Sequence, residues 1–177
     1  MPRAPRLMLG MMLLALAGCA PARMEDLLIT CPSLLLPADM ADLTRYAPGA
    51  APDLSTTELE ARITGVDGAC RRGRRDRTVE ASVSLRMEVD RGPAASGRAA
   101  QIPWIVAVVD GEQVVSRQRF VLPVTFAANT TRSALSTQSI DISFPVGEGR
   151  RVQDMRILVG FALSPEEVAL NRRRGPR

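Results

Sequence analysis

The sequence predicts an all-β domain, an antiparallel β-sandwich closed by a short C-terminal helix. Three observations carry that expectation. Residues 78–90 alternate without a break, with Val79, Ala81, Val83, Leu85, Met87 and Val89 at the odd positions and polar or charged residues between them. A period of two with one apolar face is the pattern of an antiparallel strand. Ile102 to Val109 is apolar on both faces, as a covered central strand requires, and Asp110-Gly111 separates it from Val114-Val115 as a tight hairpin turn. Further alternating runs follow with no helices between them, which argues against a parallel sheet.

Taken in order, Leu27 to Leu36 is apolar, is interrupted by Pro32 and reads as a first edge strand. Pro37 to Leu43 has room for one or two helical turns, and Tyr46 to Leu54, with Pro48, Gly49 and Pro52, reads as irregular loop. From Leu59 the pattern is strand-like, and Val66 falls out of phase after Gly65, which predicts a bulge. The arginine-rich 71–77 lies in the hairpin-like connection to 78–90, and 91–97 is a turn or longer loop. The return strand after Asp110-Gly111 runs through Phe120, Leu122, Val124 and Phe126, and 127–138 reads as a polar loop. Alternation resumes at Ile140, Ile142, Phe144 and Val146, and again from Met155 to Leu163. In Ser164-Pro165-Glu166-Glu167, serine is the N-cap, proline the first helical residue and Glu167 the third, a capping-box start. Arg172 to Arg174 then fall where the helix dipole favours positive charge. Six or seven strands of this kind fit an immunoglobulin-like or fibronectin-like sandwich, with a small β-barrel as the alternative.

Composition narrows the chemistry. The 177 residues carry 23 basic side chains, all of them arginine, and no histidine. Without histidine there is no Ser-His-Asp or Cys-His catalysis and no histidine-based metal site; without lysine there is no Schiff-base chemistry. The net charge of +4 is concentrated in two short runs, 71–77 and 172–177, each carrying +4 on an otherwise acidic chain. No aromatic residues interleave with either run, so nucleic acid is not an expected partner.

The first eighteen residues have the zones of a secretory signal: Arg3 and Arg6, an apolar core from Leu7 to Ala17, then small residues. The core is too short for the ~20 residues of a transmembrane helix. It ends in Leu16-Ala17-Gly18-Cys19, which resembles the lipobox of bacterial lipoproteins rather than an ordinary cleavage site. That resemblance implies cleavage before Cys19, a diacylglycerol on its thiol and an acyl chain on its new amino group. Ala20, where an aspartate would signal inner-membrane retention, implies the outer membrane. The body of the chain is similar to small envelope lipoproteins of Gram-negative bacteria at Cys31-Pro32, Leu43-Thr44-Arg45-Tyr46, Arg91-Gly92-Pro93-Ala94, Val106-Ala107-Val108 and Val159-Gly160-Phe161. No activity comes with that similarity. The expected organisation is a signal peptide over 1–18, a lipidated N-terminus and linker over 19–30, the sandwich over 31–170 and a basic tail over 171–177.

With Cys19 occupied by lipid, Cys31 and Cys70 remain, and in an oxidising periplasm they most simply pair, two separate buried thiols being the alternative. From Cys19 to Cys31 the chain reaches at most roughly 40 Å, so the domain stays close to the membrane. Arg71, Arg72, Arg74, Arg75 and Arg77 could grip phosphates of lipid headgroups or lipopolysaccharide, although such runs more often form a solvated hairpin. The C-terminal arginines have the same two readings. Trp104 belongs in the core between sheets rather than at a ligand. Asp110 is turn chemistry rather than half of a carboxylate pair with Glu112. Asn129-Thr130-Thr131 matches a glycosylation acceptor of little weight in a bacterium, and Gly147-Glu148-Gly149 is a turn, not a phosphate loop. The expected function is a lipid-tethered, non-enzymatic module that binds an envelope protein, with no cofactor. The alternatives are a glycan enzyme built on two carboxylates and a carrier of lipid or lipopolysaccharide.

Overall fold

The computed structural model describes residues 31–73, 78–145 and 152–175. They form two sheets and one helix. The four-stranded sheet runs in the order β1 (Ser33–Leu35), β9 (Met155–Phe161), β5 (Ala99–Asp110), β6 (Gln113–Thr125). The five-stranded sheet runs β2 (Asp42–Tyr46), β3 (Thr57–Arg72), β4 (Thr78–Arg91), with β7 (Arg132–Ser136) and β8 (Ile140–Pro145) along the other side of β4. The sheets do not close into a barrel. Their strand order also differs from that of immunoglobulin domains, whose two sheets run ABED and CFG; here β2, β3 and β4 are consecutive neighbours.

The core lies between the sheets and is built by alternation. Every odd residue of β4 from Val79 to Val89 is at most 6 % exposed, facing Ile102, Trp104, Val106 and Val108 of β5 and Ile157, Val159 and Phe161 of β9 in one buried cluster. Trp104 is in that cluster, its ring 4.7 Å from Phe120. The expected bulge is present and lies just before Gly65, at Thr64: β3 shifts register against β4 between Ile63 and Gly65, which puts Val66 opposite Leu85.

The β5–β6 hairpin turns through Gly111 and Glu112, with Asp110 opposite Gln113 and Gly111 at a φ of 60°, a conformation open to glycine. Pro103 sits inside β5 at little cost. Its carbonyl accepts from Ala162 N–H at 3.0 Å, just past the end of β9, so its ring nitrogen faces a side where the ladder is ending.

Several expectations are corrected. The polar loop over 127–138 contains β7, whose five residues pair with β4. β7 and β8 are one strand path broken by a bulge: the Thr137 hydroxyl accepts from Leu85 N–H at 2.9 Å and Thr137 N–H donates to the Leu85 carbonyl at 2.9 Å, holding the extra residue in place. The helical turns expected up to Leu43 shrink to a 3-10 turn at Ala38–Met40, because Leu43 is needed, fully buried, as a strand residue of β2. Tyr46 ends β2 rather than beginning the loop, and β3 starts at Thr57 after a 3-10 turn capped by Asp53. β1 is shorter than the run that predicted it and pairs with β9 in parallel, the one departure from an antiparallel sandwich among the described strands. Leu27 to Thr30 and Val146 lie outside the described residues.

The C-terminal helix is present with Arg172 to Arg174 in its last turn, as expected. Helix α1 (Pro165–Arg174) starts with the expected box, Ser164 and Glu167 exchanging hydrogen bonds at 3.2 and 2.7 Å. It runs through the tail arginines and is clamped to the segment before β2. Asn171 Nδ2 donates to the carbonyls of Asp39 and Asp42 at 3.0 and 2.7 Å, and Arg172 bonds the Asp39 carboxylate at 2.9 Å. Arg174 donates to Thr44 Oγ1 at 3.1 Å and to the Tyr46 hydroxyl, and lies over the Tyr46 ring. Those charges anchor a helix instead of forming a free tail.

Candidate functional site

Cys31 and Cys70 are placed as a bridge, with Cα atoms 5.9 Å apart. Cys31 precedes β1 of one sheet and Cys70 belongs to β3 of the other, so the pair staples the two sheets at the end where the chain comes in. Beside it, a small apolar pocket is lined by Leu34, Gly68, Ala81 and Ile157. The five arginines singled out by sequence do not form one patch of described residues. Arg71 and Arg72 are strand residues of β3, and the Arg71 guanidinium is 2.6 Å from the Glu80 carboxylate across the ladder. Arg74, Arg75 and Arg77, like Cys19 and Gly147-Glu148-Gly149, lie outside the described residues. Asn129 is in a turn, at a φ of 60°.

The outer face of the five-stranded sheet is charged, and three of its arginines are paired with carboxylates on neighbouring strands. Arg62 meets Asp42 at 2.9 Å, Arg86 meets Asp67 at 2.9 and 3.2 Å through two nitrogens, and Arg132 meets Asp90 at 2.7 Å. A polar groove of about 310 Å³ runs over this face, lined by Asp42, Glu60, Arg62, Glu88, Asp90 and Arg132 among others. Glu60 and Asp90 face each other across β3 and β4, with Asp90 engaged by Arg132. Among the described residues, no group of three or more carboxylates or cysteines is placed to hold a metal ion. Arg62 opposite Glu88 and Arg71 opposite Glu80 are the opposite-sign neighbours that cross-strand pairing favours, whereas Glu60 opposite Asp90 is a like-charge pair with Arg132 bound to Asp90.

The outer face of the four-stranded sheet is different. Its strands contribute Ile105, Ala107, Leu158 and Gly160, and part of it is roofed by the 3-10 turn and α1. Gly160 allows that roof to approach: a Cβ there would lie 2.6 Å from the Met40 Cβ. A groove of about 350 Å³ remains open between roof and sheet, with Met40, Ile105, Ala162, Leu163 and Val168 as its apolar lining and Arg117 and Arg119 as its charge. Arg119 donates to the Ala162 carbonyl at 3.2 Å; Arg117 has no hydrogen-bond or ion-pair partner among the described residues.

Both arginines stand on β6, the terminal strand of its sheet, and the ladder fixes which way its backbone points. Pro103 O faces β9, and within an extended strand the groups of one residue point the same way, so the even residues of β5 face β6. In an antiparallel ladder directly opposite pairs alternate between exchanging both hydrogen bonds and exchanging none. Ser116, Gln118, Phe120 and Leu122 therefore bond to β5, while Arg117, Arg119, Val121 and Pro123 point outward. Sequence reasoning used only the apolar half of this strand, 120–126, and missed Arg117 and Arg119. The available signal was two arginines two residues apart in a stretch that contains no acid. Compared with known proteins, the chain matches no family model, no curated protein and no solved structure.

Proposed function

We propose that this protein is a lipid-anchored, periplasm-facing binding module of the bacterial envelope, held through Cys19 in the outer membrane and acting by binding an envelope protein rather than by catalysis. The observation that carries the reading is Leu16-Ala17-Gly18-Cys19 at the end of a short apolar run, twelve residues ahead of Cys31. A bridged Cys31–Cys70 pair suits an oxidising compartment. Cys31 lies two residues before β1, whose Ser33 is level with Arg156 of β9, which itself bonds the Gly111 carbonyl at the β5–β6 turn. The start of β6 is thus at the same end of the sandwich as Cys31. The absence of histidine and lysine and the arginine-matched carboxylates of the five-stranded sheet favour binding over acid–base chemistry. The lipid-carrier alternative calls for an apolar cavity between the sheets; the pocket that reaches between them, beside Cys31–Cys70, is about 100 Å³, far smaller than an acyl chain needs, and the larger apolar groove lies outside the core.

The test is metabolic labelling with an alkyne palmitate, followed by in-cell crosslinking and mass spectrometry. The expected result is label on the N-terminal peptide, loss of label and of membrane fractionation in Cys19→Ser, and one dominant protein crosslinked. An unlabelled, freely soluble protein would overturn the anchor; crosslinks to glycan or lipid alone would overturn the protein-binding role.

A further inference from the structure

We propose that the free edge of β6 takes up an extended acidic segment of another protein, which joins the four-stranded sheet as an added strand. This rests on the reading of the protein as a binding module and names the chemistry of its partner. The sheets have four edges, and three are blunted. β1 has three residues, β2 has five and lies against α1, and the β7–β8 edge is broken by its bulge. The fourth, β6, has 13 residues; its register against β5 slips once, at Val115, and Pro123 offers no N–H, so its open ladder runs from Ser116 to Leu122. Natural sheets shorten, cover or kink exposed edges, because a long bare edge is a template for another strand. Here the template is left open: Gln113 to Arg119 is exposed on both faces, and Val114, Val115 and Val121 are 58 %, 50 % and 53 % exposed.

Charge selects the occupant. Arg117 and Arg119 project from the same face of β6, and β6 carries no carboxylate. A second copy pairing antiparallel about the midpoint of β6, Arg119, would set arginine against arginine, which is unfavourable across a ladder. A strand with acidic residues at alternate positions satisfies the same face. Its main chain meets the outward groups of Arg117, Arg119 and Val121, so backbone bonding supplies affinity and the guanidinium pair supplies selectivity.

The test uses the full-length lipidated protein in nonionic detergent and two probes, acetyl-Thr-Glu-Val-Glu-Val-Glu-Thr-amide and its counterpart with lysine for glutamate. Binding by fluorescence anisotropy is expected to favour the glutamate peptide at least tenfold, and Arg117→Gln/Arg119→Gln should remove most of that preference. Amide hydrogen exchange is the discriminating readout. Saturating glutamate peptide should protect the outward amides of Arg117, Arg119 and Val121 while leaving Gln118 and Phe120, already bonded to β5, unchanged. Arg117→Pro deletes one outward N–H without touching the β5 ladder and should weaken binding while the protein still melts cooperatively. Binding without protection of the outward amides would reduce the contact to charge attraction and overturn strand addition. Equal binding of the lysine peptide, or concentration-dependent protection without peptide, would overturn the acidic partner in favour of an unselective edge or a second copy. An unlabelled Cys19 strikes the anchor and leaves this test standing; unprotected amides strike the edge and leave the anchor standing.

Discussion

The two sheets share one core and the same strand chemistry on their inner faces, yet their outer faces solve opposite problems. On the five-stranded sheet, Arg62, Arg86 and Arg132 each find a carboxylate on a neighbouring strand, so these arginines are already paired. On the four-stranded sheet, Arg117 and Arg119 have no carboxylate partner among the described residues, and the side chains that line the groove with them are apolar. Arginines that already hold carboxylates gain little from a new acidic neighbour, whereas guanidinium groups without counter-ions gain one. The contrast identifies which side of the sandwich is built for recognition more directly than the total charge does.

The comparison can be broken most severely at the staple between the sheets. Reducing Cys31–Cys70, or replacing Cys70 with serine, should cost about 4 kcal/mol on the chain-entropy estimate for a bridge spanning 39 residues. Urea unfolding with and without reductant checks this. Gly160→Ala attacks the roofed face alone: the new methyl meets Met40, and overpacking of this kind costs about 1–3 kcal/mol, with the Asn171 clamp loosened in NMR spectra. Ser164→Ala removes the cap of the helix that supplies that roof and should cost about 1 kcal/mol in the same unfolding assay.

Arg132→Gln and Arg117→Gln sharpen the comparison. Both residues are surface arginines, so each change in stability should stay within about 1 kcal/mol. Arg132→Gln should show the larger, salt-sensitive part, since it alone breaks an ion pair, and thermal melts at low and high salt separate the two. The smallest effect belongs to Asp53. Hydrogen bonds from the Ser55 hydroxyl and then the Ser55 N–H hold its carboxyl below the ordinary aspartate range. The folded value lies below the unfolded one, so its contribution is present above the unfolded value, near pH 4, and is lost as pH falls through the folded value. Asp53→Asn should remove that acid-side dependence in melts between pH 5 and 2.

Much of the fold was legible because burial imprints a local rhythm. β4 was read almost to its ends, the bulge beside Gly65 showed as a phase slip, and the helix start was written in Ser164-Pro165-Glu166-Glu167. Three kinds of feature were not legible. Arg132 to Ser136 has only Ser133 and Leu135 half-buried, so nothing in its composition announces a strand; it is one because β4 offers a free edge. The C-terminal arginines look like a solvated run, and only Asp39, Thr44 and Tyr46, more than a hundred residues away, turn them into an anchor. The arginine run at 71–77 drew notice for its density, whereas Arg117 and Arg119 matter for what does not surround them.

By itself, the sequence determined the all-β class, the position of the longest strands, the helix cap, the cysteine pair and the lipobox-like tetrad. Each is a property of neighbours along the chain: a period of two, a capping box, a motif, a count. Tertiary structure alone decided which strands pair, that β1 runs parallel to β9, that Arg62, Arg86 and Arg132 of one outer face pair with carboxylates while Arg117 and Arg119 of the other do not, and that β6 keeps a bare edge. Those are properties of neighbours in space, set when loops of tens of residues close, and one-dimensional periodicity carries no record of them.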